Sequence, residues 1–290
     1  MLLRVSGEIA PGVFLVMLGK SCHYILQAER GVAVIDPGTP AHARALRARL
    51  AQTKLPSSVI RVLLTHSHPE RAGGVRFVGQ PNGTTFHIPR GELELFRSAD
   101  SIAALEREAA EIVPDESSSE PLLHQRLVDV AGVGEGSVIS WGSGIEIVVF
   151  PLPLHTEHSC AYLINPLRVL IVDEGLGYYN GRGPSAVGAD WRPDLIESSI
   201  KRIIDLDVQV LGLPYGGALT GSLVRKHLDE MLAGYQDLSR EVAAAKGEGV
   251  DPAEMRAQIF EYFYSTLDGD RSLLVSRDRS FEALCGHLGI

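Results

Sequence analysis

Short apolar runs separated by turn residues dominate the first two thirds of the chain. The runs GVFLVML, HYILQA and GVAVID follow one another closely, and the last ends at Pro37-Gly38, so this pattern predicts a meander of strands. Further strands are predicted at residues 59–64 and in TTFHIP, SVISWGSGIEIVVFPLP, CAYLIN, RVLIVDEG and VQVLGL. The Ser-Gly within SVISWGSGIEIVVFPLP predicts a hairpin turn.

Helical spacing of apolar residues alternates with these strands. The stretch AHARALRARLAQ predicts a helix over 40–53, because alanine and leucine recur on one face and arginine on the other. Further helices are predicted in ERAGGVRFV, in GELELFRSADSIAALEREAAEIV, at 195–206, in GSLVRKHLDEMLAGYQDLSREVAAA, at 252–266 and at 279–288. Strand clusters in two similar halves predict an α/β (α+β) chain in which two sheets pack face to face with helices outside.

The pattern favours a single domain over residues 1–290. Within it we expect a helical and loop insertion at about 90–134 and a helical C-terminal extension at about 221–290. The insertion contains the polar, proline-punctuated PDESSSEPLLHQ and the glycine-rich AGVGEG. A connection of this length inside a compact domain is usually functional or a lid.

Composition narrows the possible partners. The chain has 290 residues, 45% of them hydrophobic, so it can fill a sizeable core, and its formal net charge of −9 provides no basic field for nucleic acid. Three widely spaced cysteines fit a reduced compartment, so a cytoplasmic location is expected. Pro11 and Gly12 interrupt the apolar N-terminal stretch, which argues against a membrane span. We therefore expect a small-molecule substrate, and a C-terminal quarter that covers a sheet edge or forms a homodimer surface.

Candidate chemistry begins in THSHPERAGG, where His66 and His68 directly follow a predicted strand. An isolated pair of this kind is equally well explained as surface or hydrogen-bonded core histidines. However, His155 in PLHTEHSC and Asp173 in VLIVDEG also follow predicted strands. Three imidazoles and one carboxylate from separate loops form a nitrogen and oxygen set that suits zinc or non-haem iron.

These motifs together resemble the metallo-β-lactamase superfamily. Its pattern is T-H-x-H-x-D-H-x-G-G, then a histidine in a GHT turn, an aspartate in GD and a last histidine in a GHG turn; the similarity runs from about residue 10 to 225 and includes VIDPG around Asp36. The resemblance implies a four-layer αββα sandwich with metal at one edge between the sheets, and it assigns His66, His68, His155 and Asp173 as ligands. It also implies that Asp36 orients a ligand by accepting its other ring N–H; otherwise, Asp36 is a turn residue at the Pro-Gly corner.

The chain departs from the family pattern at the second metal site. The positions of its aspartate and two histidines hold Glu70, Arg71 and Tyr215. Arginine has no lone pair to offer a cation. We hypothesise that the Arg71 guanidinium takes the place of the second ion, balancing Asp173 and Glu70, so that the site holds one divalent ion, zinc or iron. The alternative is that Arg71 points to solvent at a helix start.

Several nearby side chains leave more than one role open. Glu70 can reach the ion, act as a general base or pair with Arg71, and the pair is slightly favoured. Tyr215 can be a phenolate ligand, a hydrogen-bond donor to substrate or a packing residue. His158 is a proton donor, an extra ligand or an ordinary loop histidine, and Cys160 is expected to be buried rather than reactive.

The resemblance points first to hydrolysis. A metal-bound hydroxide would attack an ester, lactone, thioester or similar bond, with Tyr215 or Arg71 steadying the oxyanion. One alternative is a mononuclear non-haem iron oxygenase acting on sulfur compounds, with His66, His155 and Asp173 as the ligand triad. Another is a catalytically degenerate member that retains the scaffold for binding.

Overall fold

The computed structural model describes residues 1–79, 83–114, 127–179, 192–265, 267 and 271–290. The strands are β1 (Leu2–Leu3), β2 (Gly7–Ala10), β3 (Val13–Leu18), β4 (Ser21–Gln27), β5 (Val32–Ile35), β6 (Val59–Leu63), β7 (Thr85–Pro89), β8 (Asp129–Val133), β9 (Val138–Gly142), β10 (Ile145–Pro151), β11 (Cys160–Asn165), β12 (Val169–Ile171), β13 (Val210–Gly212) and β14 (Ala218–Thr220). The α-helices are α1 (Pro40–Ala51), α2 (Pro69–Ala72), α3 (Val75–Val78), α4 (Leu93–Arg97), α5 (Ala99–Ile112), α6 (Ile196–Asp205), α7 (Ser222–Gly247), α8 (Pro252–Ile259) and α9 (Arg271–Leu288).

These strands form two mixed sheets in the described part of the chain. One sheet has the order β2-β3-β4-β5-β6-β7-β8, in which β2 to β5 are an antiparallel meander and β5 to β8 are parallel. The other has the order β1-β14-β13-β12-β11-β10-β9, in which β12 and β13 are the parallel pair. The predicted fold class, two mixed sheets flanked by helices, is confirmed.

Central strands are apolar on both faces because one face packs against the other sheet and the opposite face packs against helices. In β4, Cys22, Tyr24 and Leu26 point into the core between the two sheets, while Ile25 points to the helices outside. Successive side chains of a strand face opposite sides. A strand buried on both sides therefore appears as the near-continuous apolar run seen in the sequence.

Three apolar clusters define the order of the layers. The cluster between the sheets joins Leu15 and Ile35 of one sheet to Ile147 and Ile171 of the other. Helices α1, α3 and α5 cover the outer face of the first sheet, and α6 and α7 cover the outer face of the second. The chain is thus a helix–sheet–sheet–helix sandwich, as predicted.

Two predicted helices have different bounds in the structure. The stretch ERAGGVRFV is divided between α2 and α3 at Gly73-Gly74, where a Cβ on Gly73 would lie 2.3 Å from that of Ala109. There is no room for a side chain where Gly73 meets α5, so this glycine allows α5 to pack against the loop that carries His66 and His68. The last helix begins at Arg271, eight residues before the predicted start.

The long connection between α5 and β9 contains a strand that the sequence pattern did not indicate. Part of the glycine-rich AGVGEG belongs to β8, which pairs in parallel with β7 at the edge of the first sheet. The predicted lid segment PDESSSEPLLHQ lies, apart from Pro114, outside the described residues.

The C-terminal helices form a fourth apolar cluster. Leu238 of α7, Ile259 of α8 and Leu273 of α9 pack around Tyr178 and Tyr215, which lie in loops after β12 and β13. These helices therefore cover the end of the sandwich where the site loops lie. None of the helices in the described ranges combines the length and apolar composition needed to span a bilayer.

Candidate metal centre

The candidate site lies where several strands end at one edge of the sandwich. His66 and His68 follow β6, His155 follows β10, and Asp173 and Glu174 follow β12. Both sheets carry strands whose carboxyl ends point to this edge, and the connecting loops meet there. Ligand sites in such sheets commonly occur outside the carboxyl ends of strands.

Three imidazoles from these loops face one another. The ring centroids of His66, His68 and His155 lie 4.7–4.8 Å apart, with the rings nearly perpendicular. The Nδ1 atom of His68 lies 2.9 Å from Nε2 of His155, and the Nε2 atom of His66 is buried without a hydrogen-bond partner. One nitrogen from each ring lies within 4.8 Å of the others, so these histidines form a group that could hold a metal ion.

Burial keeps these rings in the form that binds metals. Desolvation lowers the pKa of His66 and of His68 well below 6.5, and the neighbouring imidazoles, Arg71 and Arg279 lower the pKa of both further. A neutral imidazole retains the lone pair that a metal requires. The two rings are therefore ready to ligate at neutral pH.

Glu174 supplies a carboxylate oxygen that faces this group. Its Oε2 atom is buried, has no hydrogen-bond partner, and lies 3.9 Å from Nε2 of both His66 and His155. Asp173, the carboxylate assigned by resemblance, accepts a hydrogen bond from the Gly175 N–H at Oδ1 and is not part of the three-histidine group found among the described residues. The buried Oδ2 atom of Asp173 also has no hydrogen-bond partner, and a ligand role for Asp173 stays a prediction. No motif in the sequence indicated Glu174.

Arg71 is completely buried, so the alternative that it points to solvent is wrong. Its Nε and Nη2 atoms both lie 2.7 Å from Oε1 of Glu174, and Nη2 also donates to the Pro214 carbonyl at 3.0 Å. Burial alone would lower the pKa of Arg71, but Glu174, Tyr215 and Asp36 together outweigh it and the pKa is raised. The guanidinium thus balances Glu174, and not Glu70 and Asp173 as hypothesised.

The Glu70 carboxylate forms an ion pair with Arg279 of α9, so the favoured pairing of Glu70 with Arg71 is wrong. Oε1 of Glu70 accepts from Nη1 of Arg279 at 2.8 Å, and the side chain of Glu70 is fully buried. Consecutive residues of a helix do not face each other. Glu70 and Arg71 are consecutive in α2, and their side chains therefore reach different partners.

Tyr215 and His158 are placed away from ligand roles. The Tyr215 hydroxyl is bonded to the backbone and side-chain oxygens of Ser272 in α9, burial raises the pKa of that hydroxyl, and the ring lies 4.2 Å below the Arg71 guanidinium. These contacts favour the packing role. His158 is 41% exposed with its ring against Gly91, which favours an ordinary loop histidine. Cys160 is buried, and burial raises the pKa of its thiol.

Asp36 acts on the site through Thr65. Its two carboxylate oxygens accept from the Thr65 N–H and hydroxyl, each at 2.8 Å, and the same hydroxyl lies 3.0 Å from Nδ1 of His66. With its proton given to Asp36, the Thr65 oxygen accepts from the ring N–H, leaving the Nε2 lone pair of His66 toward the other histidines. The predicted direct bond from a ring to Asp36 is therefore corrected to a relay through Thr65.

Substituting Thr65 tests this relay. We expect Thr65→Val, which is close in shape, to lower metal affinity by roughly 10- to 100-fold, because partners that orient a ligating histidine have effects of this size. The measurement is competition with a chromophoric chelator. Thr65→Ser keeps the hydroxyl and is expected to bind nearly as the wild type does. Equal losses in both variants would show that packing, rather than the hydroxyl, matters at this position.

Glu92 joins the two ligand loops at the rim of the site. Its Oε1 accepts from the Thr156 hydroxyl at 3.4 Å, and its carboxylate is also hydrogen-bonded by the Ser67 side chain. Thr156 follows His155, and Ser67 lies between the first two histidines. Burial raises the pKa of Glu92 to about 7. No sequence pattern around residue 92 indicated this position.

The raised pKa of Glu92 makes stability depend on pH. Between its ordinary value of 4.5 and about 7, the folded chain holds this proton more tightly than the unfolded chain does. The free energy of unfolding therefore falls as pH rises through that window, by up to ~1.4 kcal/mol per pH unit for one such group. In metal-free protein, we expect Glu92→Gln to flatten this slope, as measured by urea denaturation from pH 5 to 8.

The control is Glu94→Gln, which removes a carboxylate that is 83% exposed. Its slope should match the wild type. Burial also raises the pKa of Asp36 to about 7 and that of Asp173 to about 6. These two groups contribute the same pH slope to the free energy of unfolding in the wild type and in both variants. An unchanged slope in Glu92→Gln would contradict the role given to this carboxyl.

Comparisons with known proteins identify the family of the chain. Residues 19–172 match the family model of the metallo-beta-lactamase superfamily. The chain belongs to that superfamily. It is 21% identical over 220 residues, 72% of this chain and 78% of the relative, to the metallo-beta-lactamase fold-containing protein ST1585 of Sulfurisphaera tokodaii.

Two solved structures share the fold over nearly the whole chain. The metallo-beta-lactamase family protein TTHA1429 of Thermus thermophilus has a TM-score of 0.60 and 20% identity, covering 97% of this chain and 95% of that one. A beta-lactamase domain protein of Burkholderia ambifaria has a TM-score of 0.66 and 19% identity, covering 97% of this chain and 86% of that one. At these identities the likeness concerns the fold.

Proposed function

We propose that this chain is a metal-dependent hydrolase that uses one divalent ion on an ester, lactone, thioester or similar bond of a small molecule. The observation that carries the proposal is the convergence of His66, His68 and His155, with one nitrogen of each within 4.8 Å of the others. Membership of the superfamily supports it. The residues that would hold the ion are these three histidines, with the Glu174 carboxylate beside them.

The donors fit such an ion. His66 Nε2 and Glu174 Oε2 are buried polar atoms without a hydrogen-bond partner, and they face each other at 3.9 Å. Leaving buried polar atoms unpaired is costly, and a bound cation would satisfy both. Imidazole and carboxylate donors suit zinc or iron. When bound, an ion of this kind polarises the bond under attack and lowers the pKa of water toward neutrality.

A single ion is proposed because the second-site positions are committed elsewhere. Arg71 offers donors alone, and the Tyr215 hydroxyl is bonded to Ser272. Glu70 keeps one buried oxygen, Oε2, without a hydrogen-bond partner, while its other oxygen binds Arg279. Asp173 Oδ2 is also buried without a hydrogen-bond partner, so the described second-site positions offer two carboxylate oxygens and no imidazole. This is too small a ligand set for a second ion.

The surrounding residues position the candidate ligands. Arg71 binds Oε1 of Glu174 and so directs Oε2 toward the histidines. Glu92 holds the loops of His66, His68 and His155 together through Ser67 and Thr156.

A second candidate, a mononuclear iron oxygenase, is favoured by one observation. Glu174 Oε2 lies 3.9 Å from Nε2 of both His66 and His155, and these three groups have the composition of a two-histidine, one-carboxylate iron site. Glu174 would then take the place that resemblance gave to Asp173. In that arrangement His68 is not a ligand, which separates the two candidates.

Metal titration of the purified chain tests the proposal. We expect one equivalent of zinc to bind, and His68→Ala to abolish stoichiometric binding. Two equivalents at full occupancy would contradict the single-ion site. Anaerobically purified protein that holds iron, retains it in His68→Ala and consumes oxygen would instead favour the oxygenase.

A binding protein without catalysis is the remaining alternative. If the site serves no reaction, alanine at both His66 and His155 should leave ligand binding by the chain unchanged. Loss of hydrolysis of a panel of activated esters, lactones and thioesters in this double variant would support the enzyme.

A further inference from the structure

We propose that Arg279, carried into the site by α9, binds a singly charged oxyanion group of the substrate beside the metal. This inference rests on the proposed function, since it assigns the part of the substrate that adjoins the bond under attack. It identifies the substrate as one bearing a carboxylate or a sulfate ester group. The contacts of one guanidinium nitrogen are the starting point.

The Nη1 atom of Arg279 has two partners at the site. It lies 2.9 Å from Nδ1 of His68 and 2.8 Å from Oε1 of Glu70. Arginine donates and never accepts, so both contacts use N–H groups of Arg279. The two hydrogens of Nη1 are thereby assigned, one to the imidazole and one to the carboxylate.

The contact with His68 and metal binding exclude each other. The Nδ1 atom of a neutral imidazole offers one in-plane lone pair, and here it faces both Arg279 and the ligand group containing His155. An ion held by this nitrogen would take the lone pair. One N–H of Arg279 would then lose its acceptor, while Glu70 would keep the other.

The accessible side of the site is the side that Arg279 lines. His66, Arg71 and Glu174 are fully buried, and His155 is nearly so. The Arg279 side chain, by contrast, is 28% exposed, and His68 is also partly exposed. A substrate that approaches the ion therefore meets Arg279.

Helix α9 holds Arg279 in place through a row of buried serines. Ser272, Ser276 and Ser280 are spaced four residues apart and face the site loops, where Ser272 bonds Tyr215 and the other two bond the Tyr178 hydroxyl at 2.7 and 3.2 Å. These bonds fix the register of the helix on the loops. A guanidinium held this way loses little freedom when it binds an anion.

The charges around Arg279 favour a singly charged group. Arg71 is fully buried and bound to Glu174, so it is not accessible to substrate. Arg279 shares its one positive charge with Glu70. The Glu70 carboxylate repels a doubly charged phosphate more strongly than a singly charged carboxylate or sulfate ester, and an oxygen of either of these can replace the lost His68 contact.

The test measures anion binding at the metal site rather than turnover. Cobalt(II), whose visible absorption reports its surroundings, is titrated into the wild-type chain and its variants, and acetate and methyl sulfate are then titrated at constant ionic strength. We expect Arg279→Gln to weaken binding of at least one anion tenfold or more and Arg279→Lys to weaken it less. Glu70→Gln should strengthen it, because the charge of the carboxylate that faces Arg279 is then removed. The anion whose affinity falls in Arg279→Gln shows whether the substrate group is a carboxylate, as in acetate, or a sulfate ester, as in methyl sulfate.

The matched control is Arg271→Gln at the exposed start of the same helix, eight residues or about 12 Å along its axis. It makes the same charge change and should bind anions as the wild type does. Equal anion affinity in Arg279→Gln and wild type would overturn the inference. If Arg279→Gln does not fold, as judged by circular dichroism, the opposite shifts expected for Arg279→Lys and Glu70→Gln decide the question.

Failure of the proposed function gives a different result. A wild-type chain that takes up no cobalt contradicts the single-ion hydrolase. Because Arg279 keeps both Nη1 contacts in the metal-free chain, that result overturns the inference together with the proposed function. Cobalt uptake with equal anion affinity in Arg279→Gln and wild type overturns the inference alone.

Discussion

Alanine at His155 is expected to abolish stoichiometric metal binding. The ring supplies one of the three nitrogens that lie within 4.8 Å of one another, and no other described histidine belongs to that group. The loss should exceed the 10- to 100-fold typical for residues that only orient a ligand. Equilibrium dialysis followed by elemental analysis measures it.

His158→Ala is the matched control for this substitution. His158 lies three residues further along the same loop and is 41% exposed. It should bind one equivalent, as the wild type does. If His155→Ala retained one tightly bound ion, or if both alanine variants lost it equally, the three-histidine centre would be wrong.

Breaking the buried ion pair between Arg71 and Glu174 should be the most destabilising change at the site. Both side chains are fully buried, and Arg71→Met leaves the Glu174 carboxylate without its cation. An uncompensated buried charge costs about 3–5 kcal/mol. We expect a loss of that size in the free energy of unfolding of metal-free protein, measured by urea denaturation.

A double substitution separates the charge from the packing. Arg71→Met with Glu174→Gln removes both charges and should be less destabilised than Arg71→Met alone. Arg225→Met breaks an exposed pair with Asp229 in α7 and should change stability by less than about 1 kcal/mol. A double variant as unstable as the single one would show that loss of packing, not an unpaired charge, is the cause.

Features encoded locally were predictable from the sequence. His66 and His68 follow a strand whose apolar run is evident, and His155 follows another. The positions of these histidines therefore followed from where strands end. The layers followed in the same way, because strands such as β4 must be apolar on both faces if both faces are covered.

The position of Glu174 beside the histidines depended on turn geometry that the sequence does not display. A 3-10 turn begins at Glu174, and Asp173 caps it by accepting from the Gly175 N–H. The cap holds Oδ1 of Asp173 at the backbone and leaves its buried Oδ2 without a hydrogen-bond partner, and Oε2 of Glu174 faces the histidines. Two adjacent acidic residues cannot be assigned such roles from their spacing alone.

Arg279 was out of reach for a different reason. It lies 211 residues from His68 along the chain, and its helix is joined to the site through tertiary contacts such as the Tyr215–Ser272 bond. No local pattern distinguishes it from the other arginines of α9. The ion pairs Arg71–Glu174 and Arg279–Glu70 likewise depend on which loops meet, and that is a property of the folded chain.

The contact between Arg279 and His68 determines where the ring proton of His68 lies. Because the guanidinium donates to Nδ1 of His68, the proton of that neutral ring is on Nε2. A ligating nitrogen must give up its proton, and Nδ1 of His68 carries none. Metal uptake through Nδ1 therefore requires no tautomer exchange in His68, and ¹⁵N chemical shifts of that ring, compared with and without metal, would display this.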